Sequence, residues 1–212
     1  MKALVCLPVY NEEHSIGDVI KHIQQQGLDL VVVDGQSHDK SVLIAQSLGA
    51  EVVQRDGLGK GSAVIKGMQI AVARGYDFLL LIDCDSSYPV RDLIKLTAFE
   101  ASDMVVGVRQ MRDIEFKRRV ANLVMTKVLN LLYNASLKDM ASGMRALKVS
   151  KFAGVLTAKR FDIEPQICSI ALKKKYEITE VDIEYYPRKG ESKIGILDFF
   201  DALWRMFKER FK

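Results

Sequence analysis

Apolar positions along the chain fall into short compact runs that alternate with stretches of helical spacing. Ala3 to Pro8, Leu28 to Val33, Glu51 to Gln54 and Phe78 to Ile82 are runs bounded by polar residues or glycine, which predicts strands. Between them, Ile16, Val19, Ile20 and Ile23 recur at helical spacing before Gly27. A second helix, capped by Asp39 or Ser41, reaches Leu48 before Gly49, and a third runs from Ala63 to Arg74. The pattern continues with a helix from Asp92 to Glu100 and a strand from Asp103 to Arg109. Next comes an amphipathic helix carrying Val120, Leu123, Val124, Val128, Leu131 and Leu132. A strand and helix pair around Ala146 to Leu156, a helix from Phe161 to about Lys174 and a strand from Tyr176 to Tyr186 complete the body. Such alternation predicts an α/β fold, a mainly parallel sheet flanked by helices with right-handed crossovers.

The final stretch differs. Ile196, Phe199, Phe200, Leu203, Trp204, Phe207 and Phe211 lie along one face of a helix over residues 194–212. Periodicity leaves three uses open: packing on the domain, dimerisation, or lying in a membrane interface. The expected organisation is a catalytic body over 1–193 and an amphipathic C-terminal helix over 194–212.

One run stands at the centre of this pattern. Phe78 to Ile82 is apolar without interruption, as in a strand buried on both faces, and it ends in Asp83-Cys84-Asp85. Strand alternation would point both carboxylates the same way, toward the sheet edge where open α/β folds bind ligands. Such a pair can hold a hard divalent cation, which takes one or two carboxylates plus substrate phosphates. The same residues also suit a helix cap and a turn before Pro89, and spacing leaves both readings open. Gly57-Leu58-Gly59-Lys60-Gly61-Ser62 could bring backbone amides and a cation to an anion, or be a plain flexible loop. Its glycine spacing is not that of a P-loop.

Composition narrows the class. With 212 residues, 49% hydrophobic and 27% charged, the chain reads as one globular domain. A net charge of +4 does not suggest nucleic acid. Basic residues nevertheless crowd Arg109, Arg112, Lys117, Arg118 and Arg119, which suits either a solvated face or an anionic acceptor or membrane. Cys6, Cys84 and Cys168 show no metal-binding or disulfide spacing, so buried thiols in a reducing compartment are expected. No segment carries the roughly 18 apolar residues of a spanning helix. A cytoplasmic location, peripheral to the cytosolic membrane face, is the expectation.

Six segments together resemble the glycosyltransferase family 2 enzymes of GT-A fold, in particular the dolichyl-phosphate mannosyltransferase-like branch. Pro8-Val9-Tyr10-Asn11-Glu12 is similar to its P-x-Y-N-E, and Val33-Asp34-Gly35-Gln36-Ser37-His38-Asp39 to its V-D-D-G/N-S-x-D. Gly59-Lys60-Gly61 matches G-K-G, and Asp83-Cys84-Asp85 matches D-x-D. Asp139 to Arg145 resembles D-x-x-S-G-F-R, and Arg188 to Lys193 resembles R-x-G-x-S-K. The resemblance covers essentially the whole chain. It departs at Gly35, where the family often has a second aspartate, and at Ser87, where the branch carries a glutamine assisting the metal.

The resemblance implies roles. Pro8, Tyr10, Glu12, Asp34 and Lys60 would bind the donor, a nucleotide sugar with GDP-mannose first and UDP-glucose next. Asp83 and Asp85 would hold Mg²⁺ or Mn²⁺ on its diphosphate, with Ser87 an additional candidate ligand. Arg109, Arg119, Ser142, Arg145, Arg188 and Lys193 would be candidates for holding phosphates of the acceptor or the donor, the acceptor being a polyprenyl or dolichyl phosphate. Asp139 and Arg145 join the two aspartates as catalytic candidates. Were the acceptor a sugar or glycolipid hydroxyl, Asp139 would be the first candidate base and Glu164 the second. A non-catalytic nucleotide-sugar-binding protein is the alternative outside the enzymes. The implied surroundings are a membrane surface, with a homodimer or a membrane-spanning partner as further associations.

Overall fold

A computed structural model describes residues 2–110, 113–187 and 195–212. In chain order the elements are β1 (Ala3–Val9), α1 (Ile16–Gln25), β2 (Asp29–Asp34), α2 (Ser41–Ser47), β3 (Glu51–Gln54), α3 (Lys60–Ala73) and β4 (Phe78–Leu81). There follow α4 (Leu93–Thr97), β5 (Met104–Arg109), α5 (Phe116–Tyr133), β6 (Arg145–Lys148), α6 (Val149–Phe152), α7 (Ile163–Lys173), β7 (Ile178–Ile183) and α8 (Ile196–Phe211).

The seven strands form one sheet in the order β3-β2-β1-β4-β6-β5-β7. Every pairing is parallel except the two made by β6, which runs antiparallel between β4 and β5. The mainly parallel expectation therefore holds, with one reversed strand at its heart.

Strand alternation sorts the core onto two faces. Leu4 and Cys6 of β1, Val31 and Val33 of β2, and Leu79 and Leu81 of β4 pack toward Val64 and Met68 of α3, Ile167 of α7 and Met206 of α8. Val5 and Leu7, Val32, and Phe78 and Leu80 pack toward Ile16, Ile20 and Ile23 of α1 and Leu93 and Leu96 of α4. Each of these side chains, taken fully out of water, contributes about 1.5–3 kcal/mol before entropy is counted. All three cysteines are buried and none is in a disulfide, as the sequence predicts. Burial pushes the Cys6 thiol up to about 12, which leaves it inert.

Several boundaries move. The helix expected over 92–100 contracts to α4, preceded by a 3-10 turn at Val90–Asp92. Helix α3 begins at Lys60 rather than Ala63, which places the lysine on the helix instead of in the loop. The C-terminal helix joins the main core: Ala202 and Met206 are buried, Tyr133 of α5 donates to Met206 O (3.1 Å), and Arg205 pairs with Asp162 at 2.6 Å.

Candidate active site

Parallel pairing brings the carboxyl ends of β1, β2 and β4 to one edge of the sheet, with Val9 beside Asp34 in register. The donor-side candidates cluster there. Pro8 is half-buried and Tyr10 exposed, with the Arg55 guanidinium 5.8 Å from the Tyr10 ring centre. Glu12 is half-buried, and its backbone N–H donates to Ser41 Oγ (2.7 Å). Asp34 is buried and shapes its own loop, accepting from Gln36 N and Gln54 Nε2, both at 2.9 Å. At Gly35 the Arg55 guanidinium covers the backbone and donates to Gly35 O at 2.9 Å. A side chain at 35 would collide with that guanidinium. Arg55 is a neighbour that local sequence did not bring to this loop.

The aspartate pair lies just beyond β4, in a bend rather than on the strand. Strand alternation is therefore not what orients it. Ser86 takes a left-handed conformation (φ 61°), which turns the chain. Ser87 N and Oγ then both donate to Asp85 Oδ1, at 3.0 and 2.5 Å. Ser87 is buried, with its hydroxyl on the Asp85 carboxylate. Cys84 points into the core.

Lys60 reaches Asp83 from the start of α3, its ammonium in contact with Asp83 Oδ1 and 2.6 Å from Glu164 Oε1. Burial works against that ammonium, but the Asp83 and Glu164 carboxylates outweigh it and hold the amine above its ordinary value. Two amides of the glycine-rich turn are engaged by protein carbonyls. Gly61 N donates to Arg160 O (3.1 Å) and Ser62 N to Lys159 O (3.0 Å). Gly59 and Gly61 are glycines because a Cβ at either would strike the backbone of residues 158–160. The turn is a latch between α3 and the segment entering α7.

Residues 139–145 form the floor, with Asp139, Met140, Ser142, Met144 and Arg145 buried. Arg109 donates to Asp139 through Nε (2.7 Å) and Nη2 (2.9 Å), and Asn122 Nδ2 adds a third bond at 3.0 Å. Burial raises the Asp139 carboxyl, but Arg109 and these bonds prevail and hold it below the usual carboxylate range. Ser142 is fully buried. Arg145 is also fully buried, donating to Ser142 O (2.8 Å), Met140 O and Cys168 Sγ (3.0 Å). Asp139, Ser142 and Arg145 are thus buried, and Asp139 and Arg145 are tied to protein partners. What they deliver is Gly143, whose N–H donates to the buried Tyr88 hydroxyl (2.7 Å) and whose Cα lies against the Asp83 carboxylate.

Arg109 is nearly buried between Asp139 and the Tyr185 ring, 5.1 Å away. Arg119 is half-buried over the Phe116 ring at 5.3 Å. Arg188 and Lys193 lie outside the described residues. Glu164 is the residue whose importance sequence understated. Its partner Lys60 is distant in the chain, and a carboxylate in a helix's first turn carries no local mark of a site.

Asp83 and Asp85 fit a hard divalent cation by donor chemistry, since both offer carboxylate oxygen at the open sheet edge. Among the described residues no three His, Cys, Asp or Glu side chains converge into a cage.

Open α/β sheets bind their ligands at this carboxyl edge of the strands. The Glycosyl transferase family 2 model matches residues 4–156, and the chain belongs to that family. It is similar to glycosyltransferase AglJ of Haloferax volcanii, 32% identical over 89% of this chain and 65% of that protein, so it spans just under two thirds of that relative. A dolichyl-phosphate hexose transferase of the same organism is 29% identical over 90% of this chain and 85% of its own length. Glucosyl-3-phosphoglycerate synthase from Mycobacterium tuberculosis superposes with a TM-score of 0.83 over 99% of this chain and 79% of that one. Its structure is a complex with Mn²⁺, uridine-diphosphate-glucose and phosphoglyceric acid; at 20% identity the likeness shows the shared GT-A fold.

Proposed function

We propose that the protein transfers a hexose from a nucleotide sugar to the phosphate of a polyprenyl or dolichyl lipid, inverting the anomeric centre. One observation carries the choice of acceptor: the Asp139 carboxylate is held by Arg109 and Asn122, and Glu164 is held by Lys60. A hydroxyl nucleophile needs a base to take its proton. Both carboxylates that could serve are already engaged by cations. A lipid phosphate is ionised near neutral pH and needs no such help.

In this reading Asp83 and Asp85 would hold Mg²⁺ or Mn²⁺, which would supply Lewis-acid stabilisation of the charge departing on the donor diphosphate. Ser87 keeps Asp85 turned toward it, and Gly143 keeps Asp83 in place. Tyr10, Glu12 and Asp34 border the nucleoside, and Lys60 meets the diphosphate as that charge develops. A lipid phosphate oxygen forms the new bond to C1, and the bond from C1 to the diphosphate breaks with its electron pair leaving on the nucleotide. Arg109 and Arg119 stand nearest the acceptor phosphate, with Arg188 and Lys193 as further candidates. GDP-mannose is the first donor to test and UDP-glucose the second.

Reaching the lipid falls to two helices. Helix α5 exposes Phe116, Val120, Leu123, Val124 and Leu131, and α8 exposes Leu197, Phe200, Trp204, Phe207 and Phe211. Among the described residues no helix is long and apolar enough to cross a membrane, and these faces with Arg118, Lys208 and Arg210 suit peripheral binding to the cytosolic leaflet. Parallel assays with a polyprenyl phosphate and the matching polyprenol test the acceptor. Label on the phosphate alone supports the reading; label on the alcohol would move it to a hydroxyl acceptor.

A further inference from the structure

Lys60 is the first residue of α3, so its ammonium meets the positive end of the helix dipole. Two carboxylates oppose that field: Asp83 in direct contact and Glu164 at 2.6 Å. The two seats are built differently. Lys60 and Glu164 are coupled through backbone, because Gly61 and Ser62 donate to the carbonyls of Arg160 and Lys159, just ahead of α7. Glu164 sits in the first turn of α7, where the dipole favours its charge. Asp83 stands apart on the loop after β4 and is 29% exposed.

Asp83 therefore carries an ammonium at the place where the proposed function puts a divalent cation. Two positive charges within a few ångströms repel strongly in a half-buried setting. The formal charges of Asp83, Asp85 and Glu164 against Lys60 leave two negative charges, which one divalent cation cancels.

We infer that Lys60 is an internal counter-ion of the cation site, and that Glu164 is a second seat to which it withdraws when a cation takes Asp83. The inference rests on the reading of Asp83 and Asp85 as cation ligands. It sets an order of events. A cation alone has to displace Lys60, whereas a cation arriving with a nucleoside diphosphate brings the displaced ammonium an anion to bind. Cation and nucleotide thus favour each other's binding through Lys60. Glu164 is a positioning residue that acts through Lys60.

The test is Mn²⁺ binding to the full chain, read from the loss of the free-Mn²⁺ electron paramagnetic resonance signal, without nucleotide and with GDP or UDP. Lys60→Met is expected to bind Mn²⁺ alone about tenfold more tightly than wild type. It also loses most of the tightening that the nucleotide confers. Glu164→Gln is expected to bind Mn²⁺ alone about tenfold more weakly, because Lys60 then has only Asp83. A misfolded variant cannot gain affinity, so the rise in Lys60→Met separates the inference from damage. Unchanged Mn²⁺ affinity in both variants, with nucleotide still tightening binding, would overturn the inference and leave the cation reading standing. No Mn²⁺ binding by any of the three proteins, with or without nucleotide, would overturn both.

Discussion

Gly143 lies against Asp83 so closely that a Cβ at 143 would collide with the carboxylate. Two segments far apart in the chain are thereby fitted to each other. The loop of residues 139–145 places a glycine behind the Asp83 carboxylate, and the bonds of Asp139 and Arg145 tie that loop down.

Gly143→Ala should consequently displace Asp83 while leaving the fold intact. A shift of about an ångström at a reacting centre costs about a hundredfold in rate. Turnover measured alongside thermal unfolding checks this: kcat/KM should fall by about that factor with little change in Tm. Near-normal turnover would show that Asp83 does not depend on the glycine.

Asp139→Asn should destabilise the protein rather than remove a base. Breaking one side of a buried ion pair costs about 3–5 kcal/mol. The folded carboxyl lies below its ordinary value, so its stabilisation is present above the unfolded pKa of about 3.9 and drains as pH falls through the lower folded value. Urea denaturation of both proteins should show the full deficit at neutral pH and a narrowing gap below about pH 4. A gap independent of pH would contradict the ion-pair account.

Gly61→Ala should open the latch between α3 and α7. Its methyl would meet the Ala158 carbonyl, and forcing atoms into a packed site costs about 1–3 kcal/mol. Chemical denaturation measures the loss. Because Lys60 adjoins the latch, nucleotide affinity should fall in the same variant.

Trp204 is the chain's one tryptophan and is 70% exposed on α8. If α8 lies on a membrane surface, Trp204 emission should shift to shorter wavelength when vesicles containing anionic lipid are added. Trp204→Glu should abolish vesicle co-sedimentation and change stability by less than about 0.5 kcal/mol, as for an exposed site. An unmoved emission spectrum would contradict the membrane role of this helix.

Much of the scaffold could be read from the chain. The runs of β1, β2 and β4 are buried on both faces, and such strands declare themselves by continuous apolarity. The placement of β6 could not be read. It is a four-residue strand whose register with Leu79 and Val105 depends on partners far away in sequence. Local spacing carries no information on that pairing.

The site divides in the same way. Asp83 and Asp85 were visible because two carboxylates after an apolar run form a local pattern. Arg145 looked like a phosphate ligand because an arginine's charge is evident in sequence while its partners are not. Those partners are two nearby carbonyls and Cys168 of α7. The close neighbours of the glycines around Lys60 were hidden for the same reason: they are Lys159 and Arg160, roughly a hundred residues on. Glycine there permits backbone approach to backbone, and sequence cannot say whether the approaching group is a phosphate or another loop.

The most direct measurement is transfer of labelled sugar from GDP-mannose and UDP-glucose to a short polyprenyl phosphate with Mg²⁺ or Mn²⁺, repeated with chelator and with Asp85→Ala. The account predicts cation-dependent label in the lipid phase for at least one donor, lost with chelator and reduced at least about a hundredfold in Asp85→Ala. Transfer that persists undiminished in chelator and in Asp85→Ala, or donor hydrolysis with no labelled lipid, would contradict it.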